Sequence, residues 1–159
     1  MHKVVRSHHD QFRNAQLIIN ADNALVLQNS TNQPPVLLQP AEDLSQLRVL
    51  PEGPSQKSLL VTGPSGRGPY RLEASTELEP FGLGCMVYHQ PWAATENTAT
   101  QNLALRLRHE DIEDGHWVAV PEESGAGQSW SIYWVTPLPY NQDDFEEAIP
   151  VDLEIVSSI

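Results

Sequence analysis

Cysteine is almost absent from this sequence. Of its 159 residues, one is a cysteine, Cys85, so the chain cannot form an intrachain disulfide. Cys85 begins the apolar run Cys85-Met86-Val87, which predicts a buried and unreactive thiol. A domain of this length buries roughly 70% of the surface of its unfolded chain, so it needs neither a disulfide nor a structural metal to fold.

Basic residues are absent from the last third of the chain. Residues 109–159 contain twelve Asp and Glu and no Lys or Arg, whereas residues 1–108 contain nine acidic and nine basic residues. The net charge of −12 therefore lies entirely in the last third. A protein needs a basic surface to bind nucleic acid or the negatively charged head groups of a membrane, so we expect neither kind of binding. We expect the acidic third to form solvated loops; a calcium site or a docking surface for a basic partner are the alternatives.

Long apolar runs are missing as well. No stretch reaches the roughly 18 apolar residues that a transmembrane helix requires, so we expect no transmembrane segment. Residues 1–10 lack the apolar region of a secretory signal, and we expect a protein that is cytoplasmic at synthesis or secreted with its leader removed. Residues 1–14 carry three histidines and little apolar pattern, which predicts a flexible segment before a single domain at 15–159.

Short alternating segments dominate what is present. Thirteen prolines and nine glycines interrupt the chain too often for long helices. About ten strands with turns between them predict an all-β domain, an antiparallel β-sandwich of jelly-roll type, with at most one or two short helices. The candidate helices are 41–48 and 141–148. The predicted strands are 15–20, 24–28, 35–39, 46–50, 57–62, 70–74, 83–89, 102–109, 116–120, 129–135 and 150–156.

Five aromatic residues fall into two groups that differ in their surroundings. Trp130 and Trp134 alternate with polar residues in a predicted strand, and Trp117 lies in another, so we predict that all three belong to the core. Trp92 and Tyr140 lie in stretches flanked by proline. An aromatic side chain on a loop stacks on a sugar or lies at a membrane interface, and we predict ligand contacts for both; the alternative is that they cap the core.

Two histidines suggest a metal site. His109 and His116 flank an acidic turn that contains Asp111 and Asp114. If this turn joins neighbouring strands, the imidazoles converge beside the carboxylates and form a site for a divalent metal. The same pattern is typical of a polar hairpin tip. The acidic segments 110–114 and 143–147 are candidate calcium loops, although neither matches the EF-hand pattern.

The glycine-rich segment 63–68 (GPSGRG) carries no recognised catalytic motif. It lacks the final Gly-Lys-Ser/Thr of a phosphate-binding loop, and Arg67 breaks the pattern of a nucleophile elbow. We therefore predict a hairpin loop, with Arg67 at its tip as a candidate contact for an anionic ligand.

One short run resembles a known family. The run 88–92 (YHQPW), which continues to 96–98 (ENT), is similar to the aromatic, Pro-Trp and Asn-Thr run of aegerolysins; Gln90 stands where that family has a cysteine. The resemblance implies a small acidic β-sandwich that binds a specific membrane lipid, and in some members acts with a larger pore-forming protein in a toxin system. It implies Trp92 and Tyr88 as lipid contacts.

Three hypotheses follow for the function. The first is a non-catalytic binding protein that recognises a membrane lipid head group or a glycan through loop aromatics, without a cofactor. The second is a protein–protein adaptor or assembly subunit that docks through its acidic last third or through strand edges. The third is a metal-dependent enzyme that uses His109 and His116. No nucleophile or general base stands out in the sequence, so we favour a protein that is not an enzyme.

Overall fold

The structure is a computed structural model that describes part of the chain. The described residues are 3–7, 12, 15–29, 33–41, 45–50, 55–65, 68–80, 82–96, 103–122, 129–137 and 147–157. They form fourteen strands. The first seven are β1 (Lys3–Ser7), β2 (Gln16–Ile19), β3 (Leu25–Gln28), β4 (Leu37–Pro40), β5 (Leu47–Val49), β6 (Lys57–Pro64) and β7 (Tyr70–Ser75). The others are β8 (Cys85–Tyr88), β9 (Trp92–Glu96), β10 (Leu103–Leu107), β11 (His116–Pro121), β12 (Ser129–Val135), β13 (Ile149–Val151) and β14 (Leu153–Ser157).

The strands pair in one continuous, branched path. Its order is β13-β11-β12-β7-β6-β5-β4-β1-β14-β10-β9, with β2-β3 joined to β12 and β8 joined to β6. Every strand pair is antiparallel. The predicted all-β, antiparallel, sandwich-like fold is confirmed. None of the helices in the described residues is long and apolar enough to span a bilayer.

Hydrogen bonds between distant strands of this path show how the sheet folds over itself. Trp117 on β11 donates its indole N–H to the carbonyl of Leu105 on β10, at 2.7 Å. Trp92 on β9 donates its indole N–H to the carbonyl of Leu59 on β6, at 3.2 Å. Neither pair of strands is adjacent in the sheet, so the two ends of the path face each other across the core.

The first hairpin illustrates how the local sequence sets a turn. Asn20 accepts two backbone N–H groups with its side-chain oxygen, from Asp22 at 2.9 Å and from Ala24 at 3.0 Å. Asn23 takes a positive φ of 63°, which asparagine tolerates better than most residues. This turn joins β2 to β3, and the predicted hairpin over 15–28 is confirmed.

The structure differs from the sequence predictions in several short or interrupted segments. The strand predicted at 150–156 is two strands, separated at Asp152. The candidate helix at 41–48 is wrong at Leu47 and Arg48, which lie in β5, while the one at 141–148 lies mostly outside the described residues. Trp92–Glu96 forms a strand that the sequence pattern does not predict. The flexibility expected of residues 1–14 stays a prediction, while Lys3–Ser7 forms β1 between β4 and β14.

The predicted burial of Cys85 is wrong. Cys85 is exposed, because it begins β8 opposite Pro64, the last residue of β6. It also follows Gly84, which is exposed and adopts a φ of 83°. The thiol therefore lies at the end of a strand pair and not within the apolar core.

The main core contains the tryptophans predicted to be buried. Trp117, Trp130 and Trp134 are at most 3% exposed and belong to one apolar cluster. β12, which carries two of them, pairs with β11 on one side and with β7 and β3 on the other. Its central position explains why six of its seven residues are buried.

Candidate functional site

Trp92 is not on a loop. It is the first residue of β9 and is 6% exposed. Its ring stacks on Trp117, with the centroids 6.1 Å apart and the planes at 10°, and its indole N–H is bonded to the carbonyl of Leu59. A sugar needs an exposed ring face on which to stack, and Trp92 does not present one.

Tyr88 is also buried. It ends β8, is 6% exposed, and its ring meets Tyr70 and His109 edge to face, at 5.3 and 4.7 Å between centroids. Burial, and then the neighbouring Tyr88, raise the pKa of Tyr70 to about 12. Burial, and then the charge of Asp111, raise the pKa of Tyr88. Both phenols therefore keep their protons at neutral pH and pack as core side chains.

The other two predicted ligand contacts, Arg67 and Tyr140, lie outside the described residues. The loop that contains Arg67 does connect two neighbouring strands, since β6 ends at Pro64 and β7 begins at Tyr70. The predicted hairpin connection is therefore confirmed, but Gly63 and Pro64, predicted as part of the loop at 63–68, belong to β6.

The four predicted metal ligands all lie in the described residues. His109 accepts the backbone N–H of Asp111 with its Nδ1, at 3.2 Å, and lies 3.6 Å from the carboxylate of the same residue. His116 and Asp114 are exposed. Throughout the described ranges, no group of three or more His, Cys, Asp and Glu side chains is placed to hold a metal ion. Of the calcium loops, 110–114 is an exposed turn apart from Ile112, and most of 143–147 lies outside the description.

An apolar pocket lies beside Trp92. One of its walls consists of Leu38 and Pro40 from β4 and Leu47 from β5. Leu38 is 1% exposed, so this wall is anchored in the core. The volume of the pocket is about 160 Å³.

The opposite wall comes from three neighbouring strands. β9, β10 and β14 pair in that order, with Ala94 opposite Leu105 and Leu103 opposite both Glu96 and Ile155. Directly opposite residues project from the same face of a sheet, so Leu103, Leu105 and Ile155 point the same way. The residues of this wall are Trp92, Ala93, Ala94, Leu103, Leu105 and Ile155.

The pocket opens to solvent at the far end of β9. Exposure increases along the strand face from Trp92, which is buried, to Ala94 and Glu96, which are exposed. Leu103, the partner of Glu96, is 41% exposed although it is a large apolar residue. Ala94 and Leu103 therefore form the rim of the pocket.

Hydrogen bonds connect the Trp92 end of β9 to the segment before β5. The backbone N–H of Trp92 donates to the carbonyl of Ser45, at 2.9 Å. Nearby, the side-chain oxygen of Gln90 accepts bonds from Ser45 and Gln46, at 3.3 and 3.1 Å. These contacts hold β9 against the segment before β5 at the Trp92 end. The wall of β9 is thereby fixed beside β4 and β5.

The pocket is suited to binding an apolar group. Among the described residues, its lining offers one polar side-chain atom, the indole nitrogen of Trp92, whose hydrogen is already bonded to the carbonyl of Leu59. An apolar cavity gains free energy when it excludes water and takes an apolar group, by about 25 cal/mol for each Å² buried. Acid–base or nucleophilic catalysis would need a titratable or nucleophilic group at the lining.

The sequence contains little sign of this site. The segment 92–96 (WAATE) has small residues and no regular alternation of apolar side chains, so it is not predicted as a strand. The only useful signal is the aromatic and proline pair at 91–92. The pocket itself depends on the pairing of segments that are distant along the chain.

Comparison with known proteins provides no relative. No protein-family model, no curated protein and no solved structure matches the chain.

Proposed function

We propose that this chain is a non-catalytic binding protein for a membrane lipid, and that it takes an apolar part of the lipid into the pocket beside Trp92. The observation that carries the proposal is the pocket itself, which is open, apolar and about 160 Å³ in volume. Small-molecule sites are concave and mostly apolar.

The character of the lining favours a lipid over a glycan. Sugar-binding sites combine an exposed aromatic face with polar side chains that bond to hydroxyl groups. Here the ring of Trp92 is buried against Trp117, and the remaining lining residues are aliphatic. The run 88–98 that resembles aegerolysins lends further support, because it includes Trp92 and the start of β9.

The proposal also changes the role assigned to the aromatic residues. Trp92 forms part of the pocket wall and contacts the apolar end of the ligand, while Tyr88 supports the core behind it. The lipid head group then lies outside the rim formed by Ala94 and Leu103. Head-group selectivity depends on the surface around that rim and not on stacking by loop aromatics.

Vesicle co-sedimentation tests the proposal. The protein is mixed with vesicles of phosphatidylcholine, phosphatidylethanolamine, sphingomyelin or phosphatidylserine, with calcium and with a chelator. We expect pelleting with at least one neutral lipid and less with phosphatidylserine, because the net charge of −12 opposes binding to an anionic surface.

Two matched substitutions connect pelleting to the pocket. Ala94→Leu places a larger side chain at the exposed rim and should reduce pelleting. Ala21→Leu makes the same change at an exposed turn position outside the pocket lining and should leave pelleting unchanged. Absence of pelleting with every lipid, or equal pelleting of both variants, would contradict the proposal.

A second candidate function rests on the acidic turn between β10 and β11. Glu110, Asp111, Glu113 and Asp114 are all exposed there, and a cluster of this kind attracts a basic partner. Binding of a lysine-rich peptide should weaken as salt increases, and should be lost when these four acids are replaced by their amides. Salt-independent binding would exclude this function.

A further inference from the structure

The pocket has a defined capacity, and the carboxylate of Glu96 lies beside its rim. Resting on the proposed function, we infer that the pocket selects its ligand by length and charge. It takes an aliphatic segment of roughly six carbon atoms, joined to a neutral or positively charged group and not to a carboxylate.

The capacity follows from the volume. An apolar cavity of roughly 150 Å³ in another protein stays dry and holds one benzene molecule, and the pocket here measures about 160 Å³. A full acyl chain of a membrane lipid, or a sterol, exceeds this space severalfold. Only the short aliphatic segment next to the polar group enters, and the remainder of the ligand lies beyond the rim.

The inner walls cannot widen easily. Leu38 and Leu105 are each 1% exposed and belong to the main core, as does Trp92. Moving them would disturb packing that is close to crystal density. The inner limit of the ligand is therefore set by core residues.

The rim sets the outer limit. Ala94 lies directly opposite Leu105, and a small residue there leaves room that a larger side chain would fill. Leu103 projects beside the opening and is 41% exposed. A substitution at either position changes the length of the pocket without disturbing the core.

One carboxylate lies beside the rim. Glu96 is exposed, follows Ala94 by two residues on the same face of β9, and lies directly opposite Leu103. A ligand whose alkyl segment fills the pocket holds its polar end beside this carboxylate. An ammonium or hydroxyl group is accepted there, while a carboxylate is repelled.

Titrations with 1-alkanols of four to ten carbons test the length limit, with tryptophan fluorescence as the readout because Trp92 lines the pocket. We expect affinity to increase about fourfold for each carbon up to roughly six, and less than about twofold for each carbon beyond that. The chain length at which the gain in affinity per carbon falls should become shorter in Ala94→Leu and longer in Leu103→Ala. Ala21→Leu should leave this chain length unchanged.

The charge is tested with hexylammonium and hexanoate. We expect hexylammonium to bind roughly two- to fivefold more tightly than hexanoate, as for a solvent-exposed charge pair. Glu96→Gln should abolish this difference between the two ligands, because it removes the charge and keeps the length of the side chain. An unchanged difference in this variant overturns the assignment of the charge to Glu96.

The outcomes separate this inference from the proposed function. A uniform increase in affinity up to ten carbons overturns the length limit. If vesicles pellet the protein but no alkanol binds, the pocket is not the site, although lipid binding stands. If neither vesicles nor alkanols bind, both proposals are overturned. Unfolding transitions of Ala94→Leu and Leu103→Ala that match the wild type establish that lost binding does not reflect lost folding.

Discussion

The indole rings of Trp92 and Trp117 lie almost parallel, 6.1 Å apart, and join β9 to β11 across the core. Trp117 in turn meets Trp134 edge to face, at 4.7 Å. Each of these three indole N–H groups donates to a backbone carbonyl of another segment. The tryptophans therefore fix the spacing of the two facing parts of the sheet as well as filling the space between them.

Trp92→Ala should destabilise the fold. It removes a large buried ring, which costs about 3–5 kcal/mol, and urea unfolding measures the loss. Trp92→Phe keeps an aromatic ring but leaves the carbonyl of Leu59 without this donor, and it should cost about 1–3 kcal/mol. A Trp92→Ala variant as stable as the wild type would show that the ring is not part of the core.

Gly115→Ala should also be destabilising. A β-carbon at this position would lie 2.3 Å from Nε1 of Trp134 and 2.8 Å from the carbonyl oxygen of Val135, so one of them must move. We expect a loss of about 1–3 kcal/mol in the free energy of unfolding. Gly82→Ala is the matched control, because no atom of the described residues lies within 4 Å of the place that its β-carbon would take. This control should change stability by less than about 0.5 kcal/mol.

Glu122→Ala should weaken the pairing of β11 with β12. The Glu122 carboxylate accepts the hydroxyl of Ser131 at 2.6 Å and that of Ser129 at 3.0 Å. Both serines are buried, so the substitution leaves two hydroxyl groups without this partner, at a cost of about 1–3 kcal/mol. Glu113→Ala, at an exposed turn position, should be neutral. Equal melting temperatures for the two variants would refute the role assigned to Glu122.

Stability should fall in strongly alkaline solution because of Tyr70. Its pKa rises from 10.0 to about 12 in the folded protein, so the unfolded chain releases the proton first. Stability is therefore complete below pH 10 and is lost as the pH rises from about 10 to about 12, by up to about 2–3 kcal/mol. Unfolding in urea at several pH values measures the slope. Tyr70→Phe should reduce it, and an identical slope in that variant would contradict the assignment.

The sequence predicts the regular parts of this fold because alternation reports burial directly. Leu105 and Leu107 alternate with the half-buried Ala104 and Arg106, and both leucines are at most 1% exposed. Such a pattern needs no knowledge of the partner strand. The same reasoning places Trp134 in the core.

The alternation of apolar and polar residues does not predict where the chain changes its partner strands. Residues 150–156 are continuous in pattern, yet β13 pairs with β11 while β14 pairs with β1 and β10. The change occurs at Asp152, and no local signal in the sequence marks it. The burial predicted for Cys85 is wrong for a related reason, because the exposure of Cys85 depends on where its partner strand β6 ends.

The candidate site is less predictable than the fold. Trp92 stands out as an aromatic residue after a proline, but its burial depends on Trp117 and Leu59, which belong to other strands. The pocket requires the rim residues Ala94 and Leu103 to come opposite β4 and β5. Those contacts join segments that are distant along the chain, so no periodic pattern in the sequence predicts them.

β6 pairs with three other strands, and these pairings determine how the domain unfolds. Ser58 pairs with β5, the stretch from Val61 to Pro64 pairs with β8, and β7 runs along the other edge. Val61 pairs with β7 on one edge and with β8 on the other, Leu59 pairs with β7, and both residues are fully buried. Their amide hydrogens should therefore be among the last to exchange with deuterium, through cooperative opening of the whole domain.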